Sequence, residues 1–482
     1  MNPELALVPE RAPVAEPAPE QLSPRERLER LCDPGTLQVF RSSVGSRSAR
    51  GNGTPGDGVV AAGGSVGGRP VLCYSQDRSF MGGSLGQAHA DTIVRLLGLA
   101  EDGGVPVVAF VESGGARMDE GTAALGGYGR IFRGNVRLSG WVPQISVVCG
   151  TSAGGGSYSP ALTDFVLMTE PASMFLTGPG VVSEVMGEQV SKHELGGPRV
   201  HSRNGVCDLV AGGESEAIDL VHNLLGHLPQ NTSEAPPAVL VEEPLAADPS
   251  AAVPDEPRRV YDVRTVIRCL ADGSRMLELS PRWARNMVTA FTRVAGRPVG
   301  VIANQPKHLG GVIDHAASEK AARFVRRCDS FGVPLVVLVD TPGFLPGTRQ
   351  EAAGVIRRGA DLLHAFSAAR VPKLTVVLRK AYGGGFITMN SKDLGADLVL
   401  AWPQAEIGVV GPKQAVSFVH RKQIAESDDP AAERDRLAEE YARDNATAEV
   451  AARDGHVDEL IDPADTRARL AWALATRGAR RR

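Results

Sequence analysis

The chain of 482 residues has few aromatic side chains, at 5%, and its longest apolar runs are short. No uninterrupted apolar run reaches the roughly 20 residues that a membrane-spanning helix needs. The first segment carries acidic residues where a secretory signal peptide has a basic segment followed by an apolar one. These features argue against a membrane protein or a secreted one, and they predict a cytoplasmic location.

An excess of positive charge is also missing, since the formal net charge is -4. A chain without a basic excess gives no bulk electrostatic reason to expect a nucleic-acid partner. Cysteines are few and lie far apart, with no CxxC pair and no histidine at the spacing of a zinc ligand. We therefore expect no metal site and six buried thiols, at Cys32, Cys73, Cys149, Cys207, Cys269 and Cys328.

Glycine and proline are abundant instead, at 55 and 33 residues. Many prolines fall in two stretches, 1–24 and 236–257, whose composition shows no helical or strand periodicity. We expect the first stretch to be a disordered tail and the second to be a linker. This division predicts an N-terminal domain over 25–235 and a C-terminal domain over 258–482.

A repeat relates the two predicted domains. The motif GRPV at 68–71 recurs at 296–299. Three more short motifs recur at the same offset or one position beyond it: Gly-Gly at 82–83 and 310–311, Val-Pro at 105–106 and 333–334, and Val-Pro at 142–143 and 371–372. Four matches in nearly one register indicate that the chain contains two copies of one domain.

Each copy alternates short, wholly apolar segments with segments of helical periodicity. The first copy contains VVAFV and QISVV, and the second contains LVVLV and KLTVV at matching positions. Such strands are typical of a buried, mainly parallel sheet with right-handed helical crossovers. The predicted architecture is α/β, present twice.

A run of three glycines follows the second of these strands in each copy. The runs at 154–156 and 383–385 lie at the same distance after Pro143 and Pro372 respectively. Glycines between a strand and a helix expose backbone N–H groups at the positive end of the helix dipole, where an anion binds. Two equivalent turns would stabilise two oxyanions, and the alternative is that the glycines only allow close strand–helix packing.

A competing motif overlaps the first run. Residues 150–154 match GxSxG, in which Ser152 would be the nucleophile of a serine hydrolase. The second copy has Lys380, Ala381 and Tyr382 where a serine would be expected. The duplication therefore retained the glycines and not the serine, which disfavours the hydrolase interpretation.

Longer motifs resemble those of one known family. They are SQD at 75–77, GGSLG at 82–86, SGGAR at 113–117, AGGGSYSPALTDF at 153–165, ANQP at 303–306, SEKAARFVRRCD at 318–329, DTPGFLPG at 340–347, IRRGA at 356–360 and RKAYGGG at 379–385. With these motifs the chain resembles, over about 24–469, the carboxyltransferase (β) subunit of biotin-dependent acyl-CoA carboxylases. The resemblance is to the propionyl-CoA and acetyl-CoA carboxylase type.

The resemblance implies a fold and an assembly. The fold would be two tandem crotonase-like domains, each a β-β-α superhelix, which agrees with the internal repeat. The assembly would be a homohexamer whose active sites lie between the N-terminal domain of one subunit and the C-terminal domain of a neighbour. A partner α subunit would provide the biotin carboxylase and the carrier domain, so biotin would be attached to that partner and not to this chain.

The resemblance also implies a reaction. The enzyme would transfer a carboxyl group from carboxybiotin to the α-carbon of acetyl-, propionyl- or butyryl-CoA, and the ureido nitrogen of biotin would take the α-proton. By position, Gly154 and Gly155 would donate N–H groups to the thioester enolate oxygen. Gly384 and Gly385 would donate to the biotin oxygen, and no side-chain base would be needed.

Further residues receive roles by the same resemblance. Gly114, Gly115 and Arg117 would lie on the acyl-CoA side, and Gly343 and Phe344 on the biotin side. Arg117 would bind a CoA phosphate, with a structural ion pair as the alternative. A final position, Ile387, would discriminate between acyl groups, with a place in the hydrophobic core as the alternative.

Other functions remain open at this point. A biotin-dependent decarboxylase or transcarboxylase would use the same site, and ATP dependence would separate it from a carboxylase. A non-catalytic scaffold for such a complex is a further alternative. Neither the acyl group nor the identity of the biotinylated partner follows from the residues.

Overall fold

The structure is a computed structural model that describes residues 21–51, 53–246, 248–256 and 259–477. The disordered tail predicted for 1–24 therefore lies mostly outside the described residues. Its last residues are ordered, because Ser23 caps the first helix by accepting a hydrogen bond from the Glu26 N–H, and Leu22 is buried.

The described residues form two sheets of eight strands. The first sheet contains β1 (Gln38–Phe40), β2 (Val59–Val66), β3 (Arg69–Gln76), β4 (Val107–Ser113), β5 (Gln144–Ala153), β6 (Phe165–Thr169), β7 (Ser173–Phe175) and β8 (Leu209–Ala211). The second contains β9 (Met276–Leu279), β10 (Met287–Val294), β11 (Arg297–Asn304), β12 (Leu335–Thr341), β13 (Lys373–Tyr382), β14 (Leu398–Ala401), β15 (Glu406–Gly408) and β16 (Glu459–Leu460).

The two sheets have the same strand order. It is β1-β2-β3-β4-β5-β6-β8 in the first and, read from its other end, β9-β10-β11-β12-β13-β14-β16 in the second, with β7 paired to β5 and β15 to β13. An antiparallel hairpin, β2–β3 or β10–β11, is followed by parallel strands in both. The predicted duplicated α/β fold with mainly parallel sheets is confirmed.

Helices flank the sheets, and the central strands β4 and β12 are buried along their whole length. In the first half the helices are α1 (Pro24–Leu31), α2 (Gln87–Gly103), α3 (Thr122–Leu138), α4 (Gly155–Ala161), α5 (Pro179–Met186), α6 (Lys192–Gly196), α7 (Pro198–His201) and α8 (Glu214–His227). In the second half they are α9 (Val263–Leu270), α10 (His315–Ser330), α11 (Thr348–Ala352), α12 (Val355–Ala368), α13 (Gly383–Thr388), α14 (Pro412–Val419), α15 (Arg421–Glu426), α16 (Pro430–Asn445), α17 (Ala448–Arg453) and α18 (Thr466–Arg477).

One hydrophobic core joins the two halves. The largest cluster of buried apolar side chains contains residues from β6, α8, β10 and α10. At its centre the ring of Phe291 lies 6.1 Å from that of Phe165 and 5.1 Å from that of Phe324. The halves are therefore packed against each other by the same hydrophobic burial that stabilises each of them.

A buried ion pair lies beside this core. The guanidinium of Arg327 on α10 donates two hydrogen bonds, of 2.7 and 3.0 Å, to the carboxylate of Asp208 just before β8. Two parallel bonds between a guanidinium and a carboxylate have a defined geometry. The pair therefore fixes the orientation of the second half on the first.

The segment predicted as a linker, 236–257, has no helix or strand among its described residues except a short 3-10 turn at Ser250–Ala252. It is nevertheless held on the second half. The Val239 N–H donates to the Gly296 carbonyl at 2.9 Å, and Arg293 donates to the Pro237 carbonyl at 2.7 Å. The segment therefore connects the two halves as a strap bound to one of them, not as a free spacer.

All six cysteines are buried and unpaired, as predicted. Within the described residues, no helix is both long and apolar enough to cross a membrane.

Candidate active site

Both glycine runs lie where the sequence predicts them, at the carboxyl ends of the central strands β5 and β13. Gly154 and Gly383 have φ values of +57° and +54°. Residues with a Cβ rarely adopt such values, so only glycine turns the chain here at little cost. Each turn leads directly into a short helix, α4 or α13.

The first turn is enclosed by side chains. A Cβ added to Gly155 would lie 2.6 Å from the ring of Tyr128, which stands on α3. A Cβ added to Gly156 would lie 2.9 Å from the Ser152 Oγ and 3.0 Å from the Ser113 Cβ. The first turn therefore has no room for a side chain in place of either glycine unless its neighbours move.

The second turn is more open. Gly384 is exposed, and a Cβ added there would make an ordinary contact, 3.8 Å, with the ring of Phe344. Gly385 is tightly packed, because its Cβ would lie 2.8 Å from the Gly343 Cα and 3.2 Å from the Thr341 Cγ2. The structure thus brings Gly343, Phe344, Gly384 and Gly385 together, and their role on the biotin side stays a prediction.

The loop after β4 lies beside the first glycine turn, and the loop after β12 lies beside the second. The two loops are equivalent. Gly115 and Gly343 have φ values of +97° and +118°, and the offset that relates the two GRPV motifs also relates these two glycines. Their carbonyls accept hydrogen bonds from the Leu85 and Ile313 N–H groups, at 2.8 and 2.9 Å. Gly114, next to the first of these glycines, is exposed.

The backbone amides of the first turn differ from the prediction at one residue. The Gly154 N–H already donates to the Phe175 carbonyl at 3.0 Å, so it is not available to a ligand. The amides of Gly155 and Gly156 belong to the first turn of α4, where N–H groups have no acceptor inside the helix. The prediction of Gly154 as a donor is therefore wrong.

The internal repeat identifies the donor that the prediction missed. Pro143 and Pro372 are separated by a certain number of residues, and the same number separates Gly155 from Gly384 and Gly156 from Gly385. By this spacing, the residues equivalent to Gly384 and Gly385 are Gly155 and Gly156. The predicted pair in the first half is thus one position out of register with the pair in the second half. The signal that corrects it is present in the sequence.

Arg117 does not bind a CoA phosphate in this structure, because its side chain is buried at 1% exposure. It forms ion pairs with Asp57 and, at 2.9 Å, with Glu120, and it donates to the Ser84 carbonyl at 2.8 Å. Its donors are therefore used inside the protein. Of the two interpretations of Arg117, the structural ion pair is correct and the phosphate contact is wrong.

Ile387 is 48% exposed on α13, just after the glycines of the second turn. The alternative that Ile387 is a core residue is therefore wrong. The equivalent residue of the first copy, Tyr158 on α4, is also exposed. Both turns thus present one large side chain to the surface beside the glycines.

Ser152 is not positioned as a nucleophile. It lies inside strand β5, is fully buried, and its hydroxyl has no hydrogen-bond partner. A serine that an external ester cannot reach does not attack it, which argues against the serine hydrolase alternative.

A tyrosine lies beside each turn, Tyr128 at the first and Tyr382 at the second. Burial raises the pKa of Tyr128 to about 12, and its hydroxyl lies 3.1 Å from the Ser113 Oγ. Burial and the hydrogen bond to Glu406 raise the pKa of Tyr382. Both phenols are therefore neutral near pH 7 and are poor bases. Among the described residues, no group of three or more His, Cys, Asp or Glu side chains is arranged to hold a metal ion.

Together, these features define a class of protein: two tandem crotonase-like domains, each with a helix-terminal amide turn at the carboxyl edge of its sheet. A family model for the carboxyl transferase domain matches residues 18–482. The chain belongs to this carboxyl transferase family, in agreement with the resemblance found from its motifs.

Individual relatives extend over nearly the whole chain. It is 47% identical over 460 residues to the methylmalonyl-CoA carboxyltransferase 12S subunit of Propionibacterium freudenreichii subsp. shermanii, covering 93% of this chain and 87% of that one. It is 45% identical over 462 residues to the propionyl-CoA carboxylase carboxyltransferase subunit of Haloferax mediterranei, covering 93% and 89%. The fold matches a crystal structure of transcarboxylase 12S, described as a hexamer with methylmalonyl-coenzyme A and methylmalonic acid bound, with a TM-score of 0.91 at 47% identity, covering 94% and 89%.

Proposed function

We propose that this chain is the carboxyltransferase subunit of a biotin-dependent acyl-CoA carboxylase. It would transfer a carboxyl group from carboxybiotin, carried by a partner subunit, to the α-carbon of a short-chain acyl-CoA. The observation that carries the proposal is the pair of equivalent amide turns at Gly155–Gly156 and Gly384–Gly385. Two oxyanions develop in this reaction, and the fold offers two sites for them.

The first turn would bind the acyl thioester. The N–H groups of Gly155 and Gly156 would donate to the thioester oxygen, which gains negative charge as the α-proton leaves. The ring of Tyr128 lies directly against Gly155 and keeps the turn from moving toward α3. A preorganised donor of this kind lowers a barrier by about 3 to 4 kcal/mol.

The second turn would bind the ureido oxygen of biotin. The N–H groups of Gly384 and Gly385 would donate to that oxygen, and the exposed face of Gly384 beside Phe344 leaves room for a flat ring to approach. Biotin would supply the carboxyl group and the nitrogen that accepts the α-proton. With the proton accepted by biotin, the neutral phenols of Tyr128 and Tyr382 need not act as bases.

Ile387 would determine which acyl groups the site accepts. Its side chain is exposed in one subunit beside the second turn, at the position that the family resemblance assigns to acyl discrimination. The family resemblance associates an apolar residue at this position with tolerance of acetyl to butyryl groups, and an aspartate with propionyl preference. The isoleucine therefore favours acetyl-, propionyl- or butyryl-CoA as the proposed substrate.

A second copy of the chain would complete each site. Exposed apolar side chains stand at equivalent places at the ends of α5 and α14: Val185 and Met186 on the first helix, and Phe418 and Val419 on the second. Exposed apolar patches of this kind mark protein interfaces. Together with the hexamer reported for transcarboxylase 12S, they support a homohexamer with the acyl side of one subunit facing the biotin side of another.

The test is an assay with acyl-CoA, a biotinylated α subunit, ATP and bicarbonate, followed by detection of the carboxylated thioester. Gly384→Val would block the second turn without a clash inside the chain, and we expect a loss of activity of at least about 100-fold with the oligomer retained. Gly98→Val is the matched control, because Gly98 lies on α2 and a Cβ added there would meet no atom within 4 Å. Failure to form product from any of the three acyl-CoA substrates with several α subunits would overturn the proposal.

The 47% identity with a methylmalonyl-CoA carboxyltransferase subunit favours one alternative, a transcarboxylase. A transcarboxylase takes its carboxyl group from an acyl-CoA donor and needs no ATP. Product formed with methylmalonyl-CoA as donor and without ATP would favour this function over the carboxylase. If Gly384→Val retained full activity in both assays, the second turn would have no catalytic role.

A further inference from the structure

A cationic cleft lies outside the two amide turns, between the halves of the chain. Its volume is about 660 Å³. We call it the arginine cleft. It is lined by Arg203, Asp262, Arg264, Pro281, Arg282, Arg285, Lys307 and His308.

Most of the positive charge in the arginine cleft is not neutralised. Arg264 is paired with Glu278 through two hydrogen bonds of 2.6 and 2.7 Å, and it also contacts Asp262. The other four cations form no ion pair with any carboxylate in the described part of the chain; they are Arg203, Arg282, Arg285 and Lys307. The lining thus contains five cationic side chains and one carboxylate, that of Asp262, while Glu278 pairs with Arg264 from outside the lining.

The histidine in the cleft responds to this charge. The pKa of His308 is lowered by partial burial and then by the neighbouring cations, of which Arg285 has the largest effect, followed by Arg264 and Lys307. Asp262 opposes the shift only weakly. The cleft therefore has a positive potential that disfavours a further proton.

The loop that carries two of the arginines is held in a strained conformation. Ser280 and Ala284, on either side of Arg282, have φ values of +49° and +43°. Non-glycine residues in this region cost about 1 to 3 kcal/mol each and persist only where the surroundings hold them.

A buried lysine holds this loop. Lys320 on α10 is 3% exposed, and its Nζ donates to the carbonyls of Ser280, Trp283 and Met287 at 3.0, 2.9 and 2.7 Å. The Lys320 amino group thus holds the loop at its beginning, its middle and its end.

The same loop is fixed to the first half, which contributes Arg203. The ring of Trp283 packs on Gly205, where a Cβ would lie 2.7 Å from a ring carbon, and the Arg323 guanidinium lies 5.5 Å from the ring centroid. The Ser280 N–H donates to the Asp208 carbonyl at 2.7 Å. Three segments that are remote in sequence are therefore held together, with their unpaired cations around one space.

From this arrangement we propose that the arginine cleft binds a ligand with a diphosphate group. Guanidinium groups match phosphate oxygens because each presents several N–H donors in one plane. The volume is larger than a diphosphate needs and falls in the range of small-molecule sites, so a nucleoside attached to the phosphates also fits. The ligand is therefore either a free nucleoside diphosphate or the diphosphate portion of coenzyme A.

The cleft and the second amide turn lie on the same edge of the second sheet. Lys307 and His308 follow the carboxyl end of β11, and β12 lies between that strand and β13, which leads into Gly384. Ala303, near the end of β11, is level with Val376 of β13, and β13 continues from there to Tyr382. The arginine cleft is therefore a separate place on that edge from the proposed biotin side.

The test is direct binding, measured by titration calorimetry on the assembled protein with inorganic pyrophosphate as the probe. The double variant Arg282→Gln/Arg285→Gln removes two unpaired charges, and we expect its Kd for pyrophosphate to rise at least 10-fold. The control Arg434→Gln/Arg443→Gln removes the same charge from the exposed helix α16 and should bind like the wild type. Lys307→Met is a second variant of the cleft and should also weaken binding.

The source of the diphosphate is decided by ADP and coenzyme A in the same titration. If coenzyme A displaces pyrophosphate and binds less tightly to the double variant, the cleft belongs to the substrate. If ADP displaces pyrophosphate and coenzyme A does not, the cleft is a separate nucleotide site; both results support the proposal. Absence of pyrophosphate binding to the wild type, or an equal Kd in the cleft variants and the control, would overturn it whether or not the chain is active as a carboxyltransferase.

Discussion

The ring of Tyr128 lies against the backbone of Gly155 so closely that a Cβ at Gly155 would stand 2.6 Å from the ring. The ring is held in this position, because its hydroxyl lies 3.1 Å from the Ser113 Oγ and the side chain is 5% exposed. The residue equivalent to Gly155 in the second half, Gly384, has only an ordinary contact, 3.8 Å from an added Cβ to the ring of Phe344. The two turns are therefore equivalent in backbone and different in the space beside them.

A first prediction follows for stability. Gly155→Ala should lower the free energy of unfolding by about 1 to 3 kcal/mol, because a buried ring must move. Gly384→Ala should change it by less than about 0.5 kcal/mol. Urea unfolding measures both, and in a double-mutant cycle Tyr128→Leu should reduce the cost of Gly155→Ala. An equal cost for the two alanine variants would contradict the steric difference.

A second prediction concerns Arg117. Arg117→Ala should destabilise the protein by about 3 to 5 kcal/mol, because it leaves the buried carboxylate of Asp57 without its partner. Arg130→Ala removes a half-exposed arginine from its 2.7 Å pair with Asp91 and should cost less than about 1 kcal/mol. Urea unfolding of the two variants measures the difference. A small cost for Arg117→Ala would show that the buried pair does not stabilise the fold.

A third prediction concerns His89 and acid. Burial lowers the pKa of His89 to about 4, with Arg117 acting in the same direction and Asp57 opposing it. Between about pH 6.5 and 4 the unfolded chain binds a proton at this residue that the folded protein does not, so acid favours unfolding. The contribution lost at pH 5 is about 2 kcal/mol.

The measurement compares the wild type with His89→Gln in urea at pH 7.5 and pH 5. Because glutamine does not titrate, acid should destabilise the wild type more than the variant. The difference in the free energy of unfolding between wild type and variant should therefore be smaller at pH 5 than at pH 7.5. A difference that is independent of pH would contradict the burial of a neutral histidine.

A fourth prediction tests the proposed role of Ile387 in the choice of acyl group. Ile387→Asp should fold normally, because the side chain is exposed, and should raise the ratio of kcat/KM for propionyl-CoA over butyryl-CoA by about 10-fold. Val260→Asp replaces another exposed apolar side chain of the second half and should leave the ratio unchanged. Steady-state kinetics with the two substrates measure both variants. If Ile387→Asp left the ratio unchanged, residue 387 would not contact the acyl group.

Part of the site was predictable because equivalent residues of the two copies are separated by a nearly constant number of residues. A nearly constant offset relates β4 to β12, Gly115 to Gly343 and the two glycine runs. Read strictly, the same offset assigns the donors to Gly155 and Gly156, in place of Gly154. The hydrogen bond from Gly154 to Phe175 was not predictable, because it depends on the pairing of β7 with β5.

The sequence by itself determined the duplicated α/β fold, the two glycine turns, the buried cysteines and the family. These depend on local pattern, on residue spacing and on conformations that only glycine adopts. Only the tertiary structure decided that Arg117 is neutralised inside the protein while Arg203, Arg282 and Arg285 surround an open cleft. Every arginine carries the same charge in the sequence. Whether that charge is buried and paired or is open to a ligand depends on segments that only folding brings together.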